Sequence, residues 1–159
     1  MKIKAISLWQ PWASLIAVGA KKYETRTWFT NYRGPLLICA AKGGLCTGAI
    51  LQLIENEPAF QKALEPLLPP ECKNPIPYDY RWGMVWGAAV AIVDLVRCWR
   101  TARFAKVDAP GEPERTFGDF SLGRYAWELE NVRPIKPFTV KGRPGLFEVE
   151  IDKERLDAV

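Results

Sequence analysis

Ser7-Leu8-Trp9-Gln10-Pro11-Trp12-Ala13-Ser14-Leu15-Ile16-Ala17-Val18-Gly19-Ala20-Lys21-Lys22-Tyr23-Glu24-Thr25-Arg26 is the stretch on which the fold turns. Pro11 fixes its own φ and lacks an amide hydrogen that the first turn of a helix would leave unbonded anyway, so it opens a helix. Trp12, Leu15 and Ile16 recur at i, i+3 and i+4, an apolar stripe for one helix face. Gly19 is the natural stop, because a glycine just past the last turn tolerates the left-handed conformation that redirects the chain. Lys21 is thereby delivered at a tight junction between helix and strand. Tyr23 to Trp28 has strand character, and alternation places Glu24, Arg26 and Trp28 on one face, with same-face neighbours about 7 Å apart. A mobile ammonium, a carboxylate acceptor and a planar guanidinium fork thus converge on one turn, a combination able to grip a nucleotide. On spacing alone, an exposed strand carrying an ion pair explains the same residues.

Upstream, Ile3 to Leu8 reads as a strand. Downstream, Arg33-Gly34-Pro35 marks a turn, and Leu36 to Ala41 is a continuous apolar run, a buried strand ending at Lys42. Thr47 to Leu64 reads as a helix. Five prolines from Pro66 to Pro77 enforce an irregular stretch reaching residue 82, a lid or a connector. Val85 to Trp99 is expected as a long central strand, Ala102 to Arg124 as a charged loop, and Tyr125 to Val132 as an alternating strand. Lys141 to Gly145 then turns the chain into a last strand, Leu146 to Ile151. About six strands with two helices inserted early, and no β-α-β alternation that would demand a parallel sheet, make a small, partly closed mixed β-barrel of the α+β class the economical architecture. No internal repeat or second domain is evident, so residues 1–159 are read as a single domain.

At 159 residues, with 48% hydrophobic and 25% charged side chains, the composition is that of a globular domain with a sizeable core. The longest apolar runs are too short to span a bilayer, and the N-terminus lacks a signal-peptide pattern, so no membrane association and a cytoplasmic location are expected. There is no histidine, and Cys39, Cys46, Cys72 and Cys98 form no CxxC pair. That removes most zinc-site patterns and every histidine-based acid–base scheme, and points to buried, reduced thiols. No cofactor is expected. Scattered acids such as Asp108, Glu112, Glu114 and Asp119 have no spacing that supports a metal site.

Charge placement is uneven. Lys21, Lys22, Arg26, Arg33 and Lys42 face only Glu24 between Gly19 and Lys42, whereas the net charge of the whole chain is +4. A second basic cluster, Arg133, Lys136, Lys141 and Arg143, contains no acid. Such asymmetry suits an anionic partner docking on one face. Asp94, inside an apolar strand, is expected to pair with a basic group or with backbone amides.

Gly19-x-Lys21-x-x-Glu24-x-Arg26, preceded by Ser7-Leu8-Trp9-Gln10-Pro11-Trp12-Ala13-Ser14-Leu15, resembles the signature of the ASCH domain, the activating signal cointegrator homology family, whose fold is a PUA-like β-barrel. The resemblance continues through Tyr32-Arg33-Gly34-Pro35, Ala40-Ala41-Lys42, Gly87 to Cys98 and the closing Val140-Lys141-Gly142-Arg143. The stretch 43–80 shares no such pattern. The resemblance implies an RNA-binding or other nucleic-acid-associated role, with the Gly19 to Arg26 motif lining a cleft. Some small bacterial members are amidohydrolases that remove the acyl group of N4-acetylcytidine. In them the lysine matching Lys21 is catalytic, and a threonine stands where this chain has Glu24, the residue of the cointegrator-like branch. Ribonuclease activity has also been proposed within the family.

The residues expected to contact a nucleic acid or nucleotide-containing ligand are Trp9, Gln10, Lys21, Glu24, Arg26, Lys42, Arg124 and Tyr125. Trp12, on the apolar stripe, is read as core. Three functions remain open on the sequence. The first is a module binding RNA or a modified nucleoside. The second is a hydrolase on nucleoside or RNA substrates, with Lys21 and Glu24 catalytic. The third is a protein-interaction adaptor using the proline-rich loop.

Overall fold

The computed structural model describes residues 1–68, 83–105 and 109–152. Six strands, β1 (Lys2–Leu8), β2 (Tyr23–Arg26), β3 (Gly34–Ala40), β4 (Ala88–Arg100), β5 (Tyr125–Thr139) and β6 (Leu146–Glu150), form one sheet in the order β2-β5-β4-β3-β1-β6. The sheet curls into a half-barrel, as expected of a PUA-like α+β fold. Among the described residues there are four helices, α1 (Trp12–Ala17), α2 (Thr47–Asn56), α3 (Pro58–Leu64) and α4 (Glu114–Phe117), and two single 3₁₀ turns, Glu65–Leu67 and Thr101–Arg103.

Several elements depart from the sequence reading for visible reasons. β1 and β3 run parallel, Lys4 opposite Leu36 and Leu8 opposite Ala40, so the sheet holds one parallel pair within an otherwise antiparallel ladder. The chain between them crosses over through α1 and β2. The expected helix over 47–64 breaks at Glu57, whose extended backbone (φ −119°, ψ 96°) precedes Pro58, because a residue before proline is driven out of the helical region. Strand β5 runs on through Pro134 and Pro137. Its pairing with β2 spans only Tyr125 to Glu128, so beyond that point it has β4 alone as neighbour, and a missing N–H on the open side disrupts no ladder. The charged segment 102–124 contains α4, and the rest of the proline-rich stretch after Leu68, with Cys72, Tyr78 to Trp82 and Asp108, lies outside the described residues.

Alternation along β1 and β3 feeds both faces of the sheet. Ile6, Leu8, Leu36 and Ile38 join Val93, Leu129 and the fully buried Trp127 on the side covered by α1. Ile3, Ala5, Leu37 and Cys39 meet Ile92, Ile135 and Phe147 on the other. Helix α1 lies between two layers, with Ala13 and Ile16 against the sheet and Leu15 against Ile50, Ile54, Phe60, Leu64 and Phe117. Each such aliphatic side chain contributes about 1.5–3 kcal/mol on full burial. Helix α1 is therefore held by packing on two sides, since six residues are too few to persist as an isolated helix. Asp94 is paired as expected, accepting from Asn131 Nδ2 (2.9 Å) and Arg133 Nη2 (3.2 Å). Among the described cysteines, which are all free, Cys39 is buried, its thiol pushed up to about 12 by burial, while Cys98 is half-buried and Cys46 exposed, so buried thiols describe only the first.

Candidate functional site

The end of α1 fixes the first wall of a cleft. Gly19, at φ +76°, donates its N–H to Ile16 O (2.9 Å), and Ala20 donates to Leu15 O (2.9 Å), a Schellman pattern whose Ala20 packs on the apolar cluster that contains Leu15. Lys21 N donates to the same Leu15 carbonyl at 3.1 Å. The backbone of Lys21 is thus tied to the helix, and its side chain turns inward, only 1% exposed. Nζ donates to the Tyr23 carbonyl and lies 3.9 Å from Glu24 Oε2. Glu24, buried in β2 opposite Trp127, also stands 3.7 Å from Arg26 Nη1 through its other oxygen.

The opposite wall comes from residues 114–124. The buried Glu114 carboxylate accepts from Lys22 N (2.9 Å) and Tyr23 N (2.8 Å), which draws α4 against the start of β2. Asp119 N donates to Thr25 Oγ1 (3.1 Å), and Arg124 Nη2 donates to Thr25 O (3.4 Å). Arg124 Nε also lies 3.3 Å from Asp119 Oδ2. Gly118 has an ordinary φ but no room for a side chain, since a Cβ there would sit 3.3 Å from Lys21 Nζ and 2.9 Å from the Phe120 ring. Between the walls is a cleft of about 330 Å³ lined by Trp12, Lys21, Glu24, Thr25, residues 116–119 and Arg124. Glu114→Ala would strip the acceptor from two backbone amides. The expected loss is about 1–3 kcal/mol of stability, read from the urea midpoint, and a loosened second wall.

Burial dominates the ionisation of the central pair. It lowers the Lys21 pKa, against the attraction of Glu24 and Glu114, and raises that of Glu24, against Lys21, Arg26 and Arg124. Both groups are pressed toward their neutral forms, the amine toward a base and the carboxyl toward a donor. Asp119, exposed at the cleft rim, is held below the usual carboxylate range by its hydrogen bonds from Ser121 and, less strongly, by Arg124.

Of the residues singled out in the sequence, Lys21, Glu24 and Arg124 line this cleft, and Arg26 stands beside Glu24 at its edge. Gln10 does not line it. Its side chain is 1% exposed and used internally, donating to Val85 O (2.7 Å) and accepting from Ser14 N (3.1 Å), which braces the start of α1. Trp9, 55% exposed, lies over Gly44. Tyr125 pairs with Arg26 across β2 and β5, its ring between Phe29 and the Arg100 guanidinium. Lys42 belongs to a different pocket, described below. Trp12, core by its place on the apolar stripe, is half-buried and packs on the helical cluster, yet it also lines the cleft. The residues the sequence did not indicate are Thr25, Thr116, Phe117 and Gly118, while Asp119 was noted only as a scattered acid. Some ninety positions separate most of them from Lys21, and no local pattern announces such a contact. Among the described residues, no group of three or more Cys, Asp or Glu side chains is placed to hold a metal ion, and no helix is long and apolar enough to cross a membrane.

A curled mixed sheet whose first helix delivers a buried lysine beside a strand glutamate defines the class: residues 6–139 match the model of the ASCH domain, and the chain belongs to that family. Its sequence is 51% identical over 150 residues, 91% of this chain, to activating signal cointegrator 1 of Mus musculus, and 51% identical over 147 residues to activating signal cointegrator 1 of Homo sapiens. The chain spans 22% of the length of each of these relatives. Among solved structures, a mutant of the ASCH protein of Zymomonas mobilis superposes with a TM-score of 0.52 at 14% identity, covering 99% of this chain and 95% of that one, a likeness of fold.

Proposed function

We propose that the chain is a nucleic-acid-binding ASCH module that takes a single unstacked base of RNA, or a modified nucleoside, in the cleft between β2 and residues 114–124. The observation that carries this reading is the buried Lys21–Glu24 pair on the cleft floor. Around it the charges balance, with Lys21, Arg26 and Arg124 against Glu24, Glu114 and Asp119. A site of that kind suits a neutral ring rich in donors and acceptors better than a bare phosphate. Glu24 accepts from an exocyclic amino group, Lys21 and Arg124 donate to ring carbonyls, and Trp12 offers an apolar flank. A cleft near 330 Å³ is at the small end of ligand pockets and admits one base, not a duplex. The test is fluorescence anisotropy with short single-stranded RNAs over a range of salt. Arg124→Gln is expected to weaken binding roughly tenfold or more, the worth of a charged hydrogen bond. Absence of binding at low salt, or equal affinity in Arg124→Gln, rejects the reading.

One observation favours a second reading, hydrolysis of an amide or phosphodiester in the same substrates. Burial lowers the Lys21 pKa and so favours the neutral amine, the form a general base requires. Turnover separates the two. If the protein neither deacylates N4-acetylcytidine nor cleaves single-stranded RNA, and Lys21→Ala alters only binding, hydrolysis is excluded.

A further inference from the structure

The second basic cluster noted in the sequence is not absorbed by the Lys21–Glu24 cleft. Lys141 and Arg143 meet Lys42 around a separate pocket of about 500 Å³, lined also by Ser7, Gly87, Thr139 and Gly142. The two sites share no lining residue and sit toward opposite ends of the β4–β5 ladder, which runs from Ala88 opposite Thr139 to Arg100 opposite Tyr125. In strand geometry that is roughly 40 Å of backbone.

Three features make this pocket chemically unlike the cleft. Its charged lining is entirely cationic, and Lys42, Lys141 and Arg143 are all exposed and make no ion pair among the described residues. Glu148, Glu150 and Asp152 line the neighbouring cavity, which Lys141 and Arg143 share, and Glu148 is engaged by Lys4 at 3.1 Å. The rim is also low. Gly43 has nothing within 4 Å of where a Cβ would be, and Gly87, at φ +66°, turns its open side toward the Lys42 stem. Finally, the loop carrying two of the cations is held close. A Cβ at Gly142 would fall 2.5 Å from Ser7 Oγ, and that hydroxyl is buried and without a hydrogen-bond partner among the described residues. Only glycine lets the 141–143 segment lie this tightly on the end of β1, which fixes where its cations stand.

We propose that this pocket is a phosphate-binding site, taking the phosphoryl group of a nucleotide or of a nucleic-acid strand. Three cations without an ion pair among the described residues, glycine-lined access and no carboxylate in the pocket lining are what a multiply charged oxyanion requires, and Arg143 adds a fork that can hold two of its oxygens. The proposal stands apart from the base-binding reading of the cleft, because each site can be occupied while the other is empty.

The test is a titration of ¹⁵N-labelled protein with pyrophosphate, and in parallel with a uridine tetranucleotide carrying either a 5′-phosphate or a 5′-hydroxyl. Saturable shifts of the Gly43, Gly87 and Gly142 amides are expected, with the Gly118 amide in the cleft unmoved by pyrophosphate. Lys42→Gln combined with Arg143→Gln should weaken the interaction at least tenfold, while unperturbed Gly118 and core resonances report an intact fold. Pyrophosphate acting alone identifies free phosphoryl ligands as the source. A response to the tetranucleotides only identifies the backbone. Should neither probe move the three glycines saturably, or should the double variant bind within twofold of the wild type, the proposal is overturned. A shift confined to Gly118 would overturn it while leaving the cleft reading intact.

Discussion

Lys21→Met is expected to abolish ligand binding in the cleft and to lower stability by about 3–5 kcal/mol, the penalty for removing one member of a buried ion pair. The ammonium is 1% exposed and Glu24 only 8% exposed, so water cannot replace either member of the pair. Glu24→Leu alone should be similarly harmful, with Lys21 left facing the Tyr23 carbonyl and the Gly118 backbone. The double variant Lys21→Met with Glu24→Leu is expected to recover most of the stability and none of the binding, because an apolar pair of similar volume avoids burying two charges. Urea unfolding and anisotropy on the four proteins close the cycle. Additive losses in stability would mean that the two side chains do not interact, and retained binding in the double variant would remove both from the ligand site.

The second large effect concerns pH. Because burial raises the folded-state pKa of Glu24, the folded chain holds a proton there that the unfolded chain releases above the ordinary carboxylate range, so the stability it supports falls as pH rises toward the raised value. Lys21, lowered by burial, works in the opposite sense in the alkaline direction. The folded chain sheds its proton first, and stability recovers as pH climbs toward the unfolded lysine value. Glu24→Gln removes the first contribution. The stability of Glu24→Gln relative to the wild type is therefore expected to increase with pH from about 4.5 upward, measured by chemical denaturation at fixed salt. A difference that stays flat across that span would show that Glu24 titrates as an exposed carboxylate. Any ligand that accepts or donates a proton through the pair should show binding that changes over the same window.

How far the molecule can be read from its sequence differs by element. Pro11, Gly19 and Gly34 act locally, through fixed φ, a left-handed turn and a strand start, and the first three strands and α1 follow from them. Pro58 carried an equally local signal, and a helix drawn through it ignored that signal. The length of β5 was not local, since whether Pro134 and Pro137 are tolerated depends on which side of the strand lacks a neighbour. The candidate site divides in the same way. Lys21, Glu24 and Arg26 lie within six positions and declare themselves by spacing. Glu114, Gly118 and Asp119 complete the cleft through hydrogen bonds and close contacts with residues 22–25, across a separation that no periodicity spans. Gln10 shows the reverse error, a polar residue at a suggestive junction whose amide is spent on Val85 and Ser14.

The pairing of β1 with β6 joins the start of the described chain to its end, with Lys2 opposite Glu150 and Met1 N bonded to Ile151 O. Until residues 146–150 have been synthesised, β1 is an edge strand whose unpaired amides invite other chains. The β1 edge is therefore covered last during translation, and the slowest step should be this contact of greatest sequence separation. Expression boundaries drawn at residue 139, where the family match stops, would leave that edge open permanently, and aggregation of such a fragment would report on β6 rather than on the site.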